Sequence, residues 1–211
     1  MLEIVGRRYI LRPPTHCVLG EVLPLLVLIH CYGCSAVHEL RKFSEAADTY
    51  SFAIAAPEGE DSSWHAPHCC GPARSRGLND VGFVDEVVRH ASTILPLTPS
   101  AIFAHGFSNG GFLVSHLPHV SRIPWTAISP AAGHEYSVPP HAPLPVYIHH
   151  CGEDSMVKME GCCSDGFGVP PHLVPSHRNL PRSISSHPTT LVHPSHPIPS
   201  HPISSHPIPS H

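Results

Sequence analysis

A serine stands between two glycines in the middle of the chain, in a spacing that can build a nucleophilic site. Gly106, Ser108 and Gly110 form a G-x-S-x-G pattern within residues 103–111. This pattern makes a sharp strand-to-helix turn that lifts the serine hydroxyl above the edge of a sheet. The glycines let strand and helix cross closely because they carry no Cβ atom. The same pattern also occurs in ordinary glycine-rich turns, so its surroundings must decide its meaning.

Strands and helices are predicted to alternate around this turn. Residues 4–11 alternate as in an edge strand, and helical spacing of apolar residues follows at 37–47, 81–91 and 112–117. Continuous apolar runs, typical of strands buried on both faces, lie at residues 25–30, 52–56, 101–104, 125–129 and 146–150. This order predicts an α/β fold with a mainly parallel sheet and its chemistry at the carboxyl ends of the strands.

Composition divides the 211 residues into two parts. Residues 1–161 carry the α/β pattern and form the predicted domain, whereas residues 162–211 are rich in His, Pro and Ser. Proline blocks helices and central strands, so we expect this tail to be disordered. Weak metal binding by its imidazoles is an alternative, and sequence read across a wrongly assigned exon boundary is another.

The charge balance bears on possible partners. The formal net charge is -4, and no apolar run approaches the roughly 20 residues that span a bilayer. We therefore expect no nucleic-acid partner and no membrane partner. Residues 1–14 contain three arginines and no apolar segment, so no secretory signal is predicted, although the first methionine can be internal to a longer precursor.

The eight cysteines leave several interpretations open. Cys31-x-x-Cys34 has the spacing of half a zinc site or of a redox pair. No second C-x-x-C exists and the motif follows a buried strand, which favours neither reading. Cys69 and Cys70 are sequence neighbours, so we expect them to bridge elsewhere or to pack as thiols rather than to bond each other.

Several segments together resemble one family of esterases. They are Leu-Ile-His-Cys-Tyr-Gly-Cys-Ser-Ala (28–36), Ser-Trp-His-Ala (63–66), Cys-Cys-Gly-Pro-Ala (69–73), Asp-Val-Gly-Phe-Val-Asp (80–85) and Gly-Phe-Ser-Asn-Gly-Gly (106–111). The family comprises esterases related to polyhydroxybutyrate depolymerases, with the feruloyl and acetylxylan esterases of carbohydrate esterase family 1. The resemblance implies an α/β-hydrolase three-layer sandwich with a mainly parallel sheet, incomplete at its C-terminal edge.

The resemblance also implies a Ser-Asp-His triad in that chain order. Ser108 matches the nucleophile and Asp154 the acid, with Glu153 as the local competitor. The family's histidine lies in a Gly-His-Trp-Pro type of loop, and no such stretch follows Asp154, so the base is not identified. His172 and His177 are the nearest histidines by order, but neither lies in a matching motif.

The oxyanion hole implied by the resemblance uses backbone N–H groups of Asn109 and of the loop after His30, around Cys31 or Tyr32. No cofactor and no metal are implied. The sequence departs from the family where Cys31, Cys34 and Cys151 replace glycine, and a Cβ at the first of these would strain the loop if the backbone angle were unusual.

These observations favour a serine carboxylic-ester hydrolase acting through an acyl-enzyme, on feruloyl, acetylxylan or polyhydroxyalkanoate-type esters. The expected partner is a small or polymeric ester, and the expected location is extracellular, both by resemblance. One alternative is a catalytically impaired, truncated member without the triad histidine. Another is a His-rich metal-binding module on a passive scaffold. Among the other histidines, His30 is expected to shape the oxyanion loop and His105 to pack rather than act as a base.

Overall fold

The computed structural model describes residues 1–18, 20–67, 69–134, 143–158 and 189–192. The strands are β1 (Leu2–Ile4), β2 (Arg7–Arg12), β3 (Leu23–Ile29), β4 (Ala53–Pro57), β5 (Leu97–Phe107), β6 (Ala127–Ala131), β7 (Tyr147–His150) and β8 (Thr189–Val192). The helices are α1 (Ala36–Tyr50), α2 (Gly71–Ser75), α3 (Asp80–Ile94) and α4 (Asn109–Val120), with a 3-10 turn at Glu60–Ser62.

The described strands form one sheet in the order β1-β2-β4-β3-β5-β6-β7-β8. Four of the pairings are parallel: β4 with β3, β3 with β5, β5 with β6, and β6 with β7. At the margins, β2 runs antiparallel to both β1 and β4, and β8 runs antiparallel to β7. The predicted mainly parallel sheet is therefore confirmed.

The N-terminal segment differs from the prediction of a single edge strand. Residues 4–11 contain a reversal, because Val5 and Gly6 both adopt positive φ angles, 47° and 74°. The chain therefore folds back as a β1–β2 hairpin with Ile4 opposite Arg7. The alternating pattern is correct for both arms, but it does not reveal the turn between them.

Side chains from β3 alternate between two apolar clusters. Leu25, Val27 and Ile29 join the core that α3 and α4 cover, with Val84 and Leu113 among their neighbours. Leu28 lies in the second cluster, which includes Ala36 and Ala47 of α1 and Ile54 of β4. A layer of helices thus lies on each face of the sheet, as the period-2 geometry of a strand buried on both faces requires.

Local sequence signals explain where two helices begin and end. Ser35 precedes α1, and its hydroxyl accepts a hydrogen bond from the His38 N–H. The helix is longer than the predicted segment and ends at Ser51, in the left-handed region with φ 54°. Asn79 caps α3, because its side chain accepts from the Gly82 N–H. No helix in the described ranges is long and apolar enough to cross a membrane.

Part of the segment expected to be disordered forms a strand. Thr189–Val192 pairs with β7 through contacts such as Thr189 opposite His150. These four residues are Thr-Thr-Leu-Val, which are β-branched or apolar and contain no proline, so they suit a sheet margin better than their neighbours do. The rest of the predicted tail lies outside the described residues, as do His172 and His177.

Candidate active site

Ser108 lies at the turn between β5 and α4, in an unusual backbone conformation. Its φ of 54° and ψ of -118° fall where L-residues with a side chain are rarely found. Its N–H donates to the Ala131 carbonyl of β6 at 2.8 Å, and its carbonyl accepts from the Phe112 N–H of α4 at 3.0 Å. The backbone is therefore held from both sides, and the half-buried side chain is presented at the carboxyl end of the sheet.

The glycines around Ser108 are required by close approach. A Cβ at Gly110 would overlap the Ile29 carbonyl of β3, and one at Gly106 would overlap the Gly110 carbonyl. After β6, a Cβ at Gly133 would overlap the carbonyl of Ser108 itself. The predicted reason for the G-x-S-x-G spacing, that strand and helix cross too closely for side chains, is confirmed.

Asn109, the first residue of α4, is buried and held by its side chain. Its Oδ1 accepts from the Trp64 N–H at 2.7 Å, and its Nδ2 donates to the Trp64 carbonyl at 3.0 Å. The indole Nε1–H of Trp64 donates to the His30 carbonyl at 2.8 Å, which ties this loop to the end of β3. A first-turn N–H has no acceptor within its own helix, so the Asn109 N–H suits the predicted oxyanion role.

Cys31 to Cys34 form a turn at the carboxyl end of β3, beside β5. The Cys34 N–H donates to the Cys31 carbonyl at 3.1 Å, and Gly33 takes φ 74° while donating to the Ser62 carbonyl at 2.8 Å. Neither cysteine has a positive φ, so the expected backbone strain from replacing glycine there does not arise. The two sulfurs form a disulfide. The half-exposed Tyr32 packs its ring against Gly71.

His30 lies directly beneath this turn and is fully buried. Its Nε2 accepts from the Gly59 N–H at 2.9 Å, so the hydrogen is on Nδ1, which donates to the Cys31 carbonyl at 2.8 Å. Burial lowers the pKa of the ring and keeps it neutral. The ring therefore orients the start of the loop, which agrees with the predicted shaping role.

His105 is packed within the fold. Its ring lies 4.9 Å from that of Phe43, and its Nδ1 is 3.1 Å from the Ser129 hydroxyl. Burial lowers its pKa to about 4. These contacts agree with the expectation that His105 packs rather than serves as the base.

Asp154 lies on the loop after β7, where the resemblance places the acid. Its Oδ1 accepts from the N–H groups of Met156 and Val157, both at 2.9 Å, and its Oδ2 lies 3.7 Å from Nε2 of His150. Glu153, the competitor, is exposed. The anchored carboxylate of Asp154 is thus the better placed of the two, and its catalytic role stays a prediction.

A pair of histidines beside Asp154 was missed from the sequence. The buried His150 donates from Nε2 to the Val157 carbonyl at 2.6 Å, and its Nδ1 lies 3.2 Å from Nδ1 of His134. For neutral rings, His134 then donates from Nδ1 and carries its lone pair on Nε2. The sequence signal that could have pointed to His134 was its position: it directly follows Gly133 at the carboxyl end of β6, where the functional groups of such sheets lie.

In the part of the chain that the structure describes, no candidate base contacts Ser108 directly. Within the described ranges, the Ser108 hydroxyl makes no hydrogen bond to another side chain. Asp154, the histidine pair and Ser108 nevertheless share the carboxyl ends of β5, β6 and β7, which are neighbours in the sheet. A cavity of about 600 Å³ lies elsewhere, beside α3, and does not include Ser108.

The paired cysteines after the 3-10 turn require a correction. Cys69 and Cys70 form a disulfide with each other, contrary to the expectation for sequence neighbours. The backbone brings their Cα atoms within 3.2 Å, which places the two sulfurs in bonding reach. Both side chains are buried directly before α2, on the loop that packs against Tyr32.

Sheet order, the strained serine turn and the acid loop after β7 together define an α/β-hydrolase fold. No family model matches the chain. Over 150 residues it is 29% identical to the putative esterase NocK of Nocardia uniformis subsp. tsuyamanensis, covering 68% of this chain and 43% of that protein.

Solved structures share the fold at lower identity. The native pOPH structure gives a TM-score of 0.50 at 17% identity, covering 64% of this chain and 50% of that one. Native sOPH gives the same values. An acetyl xylan esterase from Aspergillus awamori gives 0.47 at 12% identity, covering 68% and 47%. The chain therefore spans about half the length of these relatives, or less. The pOPH and sOPH structures support the α/β-hydrolase fold of this chain.

Proposed function

We propose that this chain is a carboxylic-ester hydrolase that forms an acyl-enzyme on Ser108. The supporting observation is the backbone of Ser108, which is held at φ 54° and ψ -118° by hydrogen bonds to β6 and α4. A residue with a side chain persists in such a conformation only where its surroundings enforce it, and such sites are concentrated at reactive centres. Glycine would be the natural choice if the turn served the fold alone.

The reaction follows from the groups around this turn. The Ser108 oxygen attacks the ester carbonyl, and the carbonyl oxygen becomes an oxyanion facing the N–H groups of Asn109 and of Cys31 or Tyr32. The alcohol leaves with a proton, and water then attacks the acyl-serine to release the acid. Two contacts hold these donors in position: the hydrogen bond between the Asn109 side chain and the Trp64 backbone, and the hydrogen bond from His30 to the Cys31 carbonyl.

His134 is the base within this proposal. It belongs to a chain of contacts that runs from Asp154 through His150, and the tautomers place its lone pair on Nε2. Gly133, its neighbour, packs directly on the Ser108 carbonyl. When His134 takes the serine proton on Nε2 it becomes positively charged, and its Nδ1–H then donates to Nδ1 of His150, whose other side faces the Asp154 carboxylate.

The substrate class and location are further parts of the proposal. The candidate substrates are feruloyl, acetylxylan or short hydroxyalkanoate esters, because the sequence segments resemble the family of esterases that act on them. Two disulfides, Cys31–Cys34 and Cys69–Cys70, support an oxidising, extracellular setting, since cytosolic proteins rarely keep such bonds.

Labelling with a fluorophosphonate tests the nucleophile. The probe should phosphonylate wild-type Ser108 with loss of fluoride, and peptide mass spectrometry should locate the adduct. Ser108→Ala should abolish labelling, whereas Ser92→Ala, which changes an exposed serine of α3, should leave it unchanged. Equal labelling of Ser108→Ala, or no labelling of the folded wild type, would contradict the proposal and favour a passive scaffold.

The labelling rate also tests the base. General-base catalysis contributes roughly 10²–10⁴-fold, so His134→Gln should slow labelling at Ser108 by at least about 100-fold. His38→Gln, on the exposed face of α1, is the matched control and should label at the wild-type rate. If His134→Gln labels as fast as the control, the base lies elsewhere while the nucleophile assignment stands.

A further inference from the structure

The turn at Cys31–Cys34 and the first turn of α1 bring three metal-ligating side chains together. The sulfurs of Cys31 and Cys34 and a carboxylate oxygen of Glu39 all lie within 4.8 Å of one another. Zinc binds thiolate at about 2.3 Å and carboxylate at about 2.0–2.2 Å, which separates tetrahedral ligand atoms by about 3.5–4 Å. The three side chains are therefore close enough to bind one ion once the disulfide is opened and the sulfurs separate.

The backbone already has the form of a chelating loop. The Cα atoms of Cys31 and Cys34 are 5.2 Å apart, and the Cys34 N–H closes the turn on the Cys31 carbonyl. Gly33 supplies the left-handed residue that the turn requires. Two cysteines separated by two residues are the usual ligand spacing of zinc loops. Both cysteines are partly exposed, so an ion can reach them from solvent.

Glu39 supplies the charge that a cation would need. Its side chain is only 2% exposed, and its Oε1 accepts from Nζ of Lys42 at 2.8 Å, on a side chain that is 44% exposed. A buried carboxylate is costly unless it is paired or coordinates a metal. One flexible lysine at the surface pairs this carboxylate only weakly, whereas a divalent ion between the three side chains would compensate it fully.

We propose that Cys31, Cys34 and Glu39 form a redox-gated site for a soft divalent cation such as Zn²⁺. In the disulfide form the sulfurs carry no thiolate and cannot bind. A dithiol reductant delivers two electrons and two protons, giving two cysteine thiols and one reductant disulfide. The cation then displaces the two thiol protons to solvent, binds both thiolates, takes Glu39 as its third ligand and completes its shell with water.

Cobalt(II) is the probe that isolates sulfur ligation. Chelator-treated protein, reduced with a phosphine and then separated from it, is titrated with Co²⁺ under nitrogen. Reduced wild type should develop the near-ultraviolet band of cobalt-bound thiolate, and oxidised wild type should not. Imidazole ligands elsewhere in the chain give no such band. This readout needs no substrate, so it is independent of the proposed ester hydrolysis.

Matched variants locate the ligands. Cys34→Ser should abolish the band, and Glu39→Gln should weaken cobalt affinity by at least about tenfold. Cys17→Ser removes an exposed free thiol, and the double variant Cys69→Ser with Cys70→Ser removes the second disulfide found among the described residues. Both controls should keep the wild-type band and affinity.

A second measurement keeps the test independent of variant folding. Zn²⁺ added to reduced wild type should protect two thiols from alkylation, and mass spectrometry should map them to Cys31 and Cys34. Protection of other cysteines, a band that persists in Cys34→Ser, or equal binding by oxidised protein would overturn the proposal. Absence of both band and protection in folded, reduced wild type would do the same.

Discussion

Asn109 and Trp64 hold each other through a reciprocal pair of hydrogen bonds. The Trp64 N–H donates to Asn109 Oδ1 at 2.7 Å, and Asn109 Nδ2 donates to the Trp64 carbonyl at 3.0 Å. Both residues are completely buried. One amide side chain thus satisfies both polar groups of a backbone unit that water cannot reach, and it does so at the start of α4, next to Ser108.

Removing this amide should destabilise the fold. Asn109→Leu leaves the buried Trp64 N–H without a partner and leaves the Trp64 carbonyl with only the Ala66 N–H at 3.1 Å, so about 1–3 kcal/mol of unfolding free energy should be lost. Urea denaturation measures the change. Asn79→Ala, which removes the exposed cap of α3, is the control and should cost about 1 kcal/mol. An Asn109→Leu cost no larger than that of the control would refute the argument.

Gly110 and Gly152 should respond very differently to an added methyl group. Gly110→Ala places a Cβ into the Ile29 carbonyl and should separate α4 from β3, with a loss of more than about 3 kcal/mol or failure to fold. Gly152→Ala meets no atom within 4 Å and should change stability by less than about 0.5 kcal/mol. Thermal unfolding of the two variants compares them directly, and similar melting temperatures would count against close packing at Gly110.

Acid should destabilise the protein through His105. Burial lowers the pKa of its ring from 6.5 to about 4, so protons bind more readily to the unfolded chain. The resulting stability is fully present above pH 6.5 and is lost as the pH falls towards 4, by at most about 3 kcal/mol. Urea unfolding at pH 7 and pH 4.5 should show a smaller acid loss in His105→Gln than in wild type. The same pH dependence in both proteins would exclude His105 as the cause.

The ion pair between Arg7 and Asp80 should be sensitive to loss of the arginine. Arg7 Nη1 lies 2.7 Å from Asp80 Oδ1. The guanidinium group also stacks on Phe83, with its Cζ 3.8 Å from the ring centroid. Asp80 is buried and also accepts from the His65 N–H at 2.6 Å. Arg7→Met leaves this carboxylate charged and unpaired, which should cost about 3–5 kcal/mol.

The neighbouring arginine provides the control for that experiment. Arg8 is exposed on the other face of β2, so Arg8→Met should change the free energy of unfolding by less than about 0.5 kcal/mol. Differential scanning calorimetry of the two variants separates the effects. Equal melting temperatures would show that the Arg7 pair contributes little beyond a surface contact.

Patterns within short stretches predicted most of the architecture. The apolar runs marked the central strands, and the spacing around Ser108 marked the sharp turn between β5 and α4. Each of these features depends on neighbours in the chain: strand burial shows as continuous apolarity, and a sharp turn needs particular residue types at fixed offsets.

Features set by distant contacts could not be predicted in the same way. The approach of His134 to His150 and Asp154 depends on the parallel pairing of β6 with β7, which no local pattern reports. The placement of Glu39 beside Cys34 depends on the direction in which α1 runs from its N-terminal cap. Cys69 bonding to Cys70 depends on one local backbone geometry, which residue identity alone does not specify.

The conformation of Ser108 has a cost in stability. A side chain at its φ and ψ raises the energy of the folded state by about 1–3 kcal/mol, and glycine would not incur that cost. Ser108→Gly should therefore unfold at a higher temperature than Ser108→Ala, although both lack the nucleophile. Under the proposed function, the chain tolerates a less stable fold at this position and thereby places a hydroxyl at the edge of the sheet.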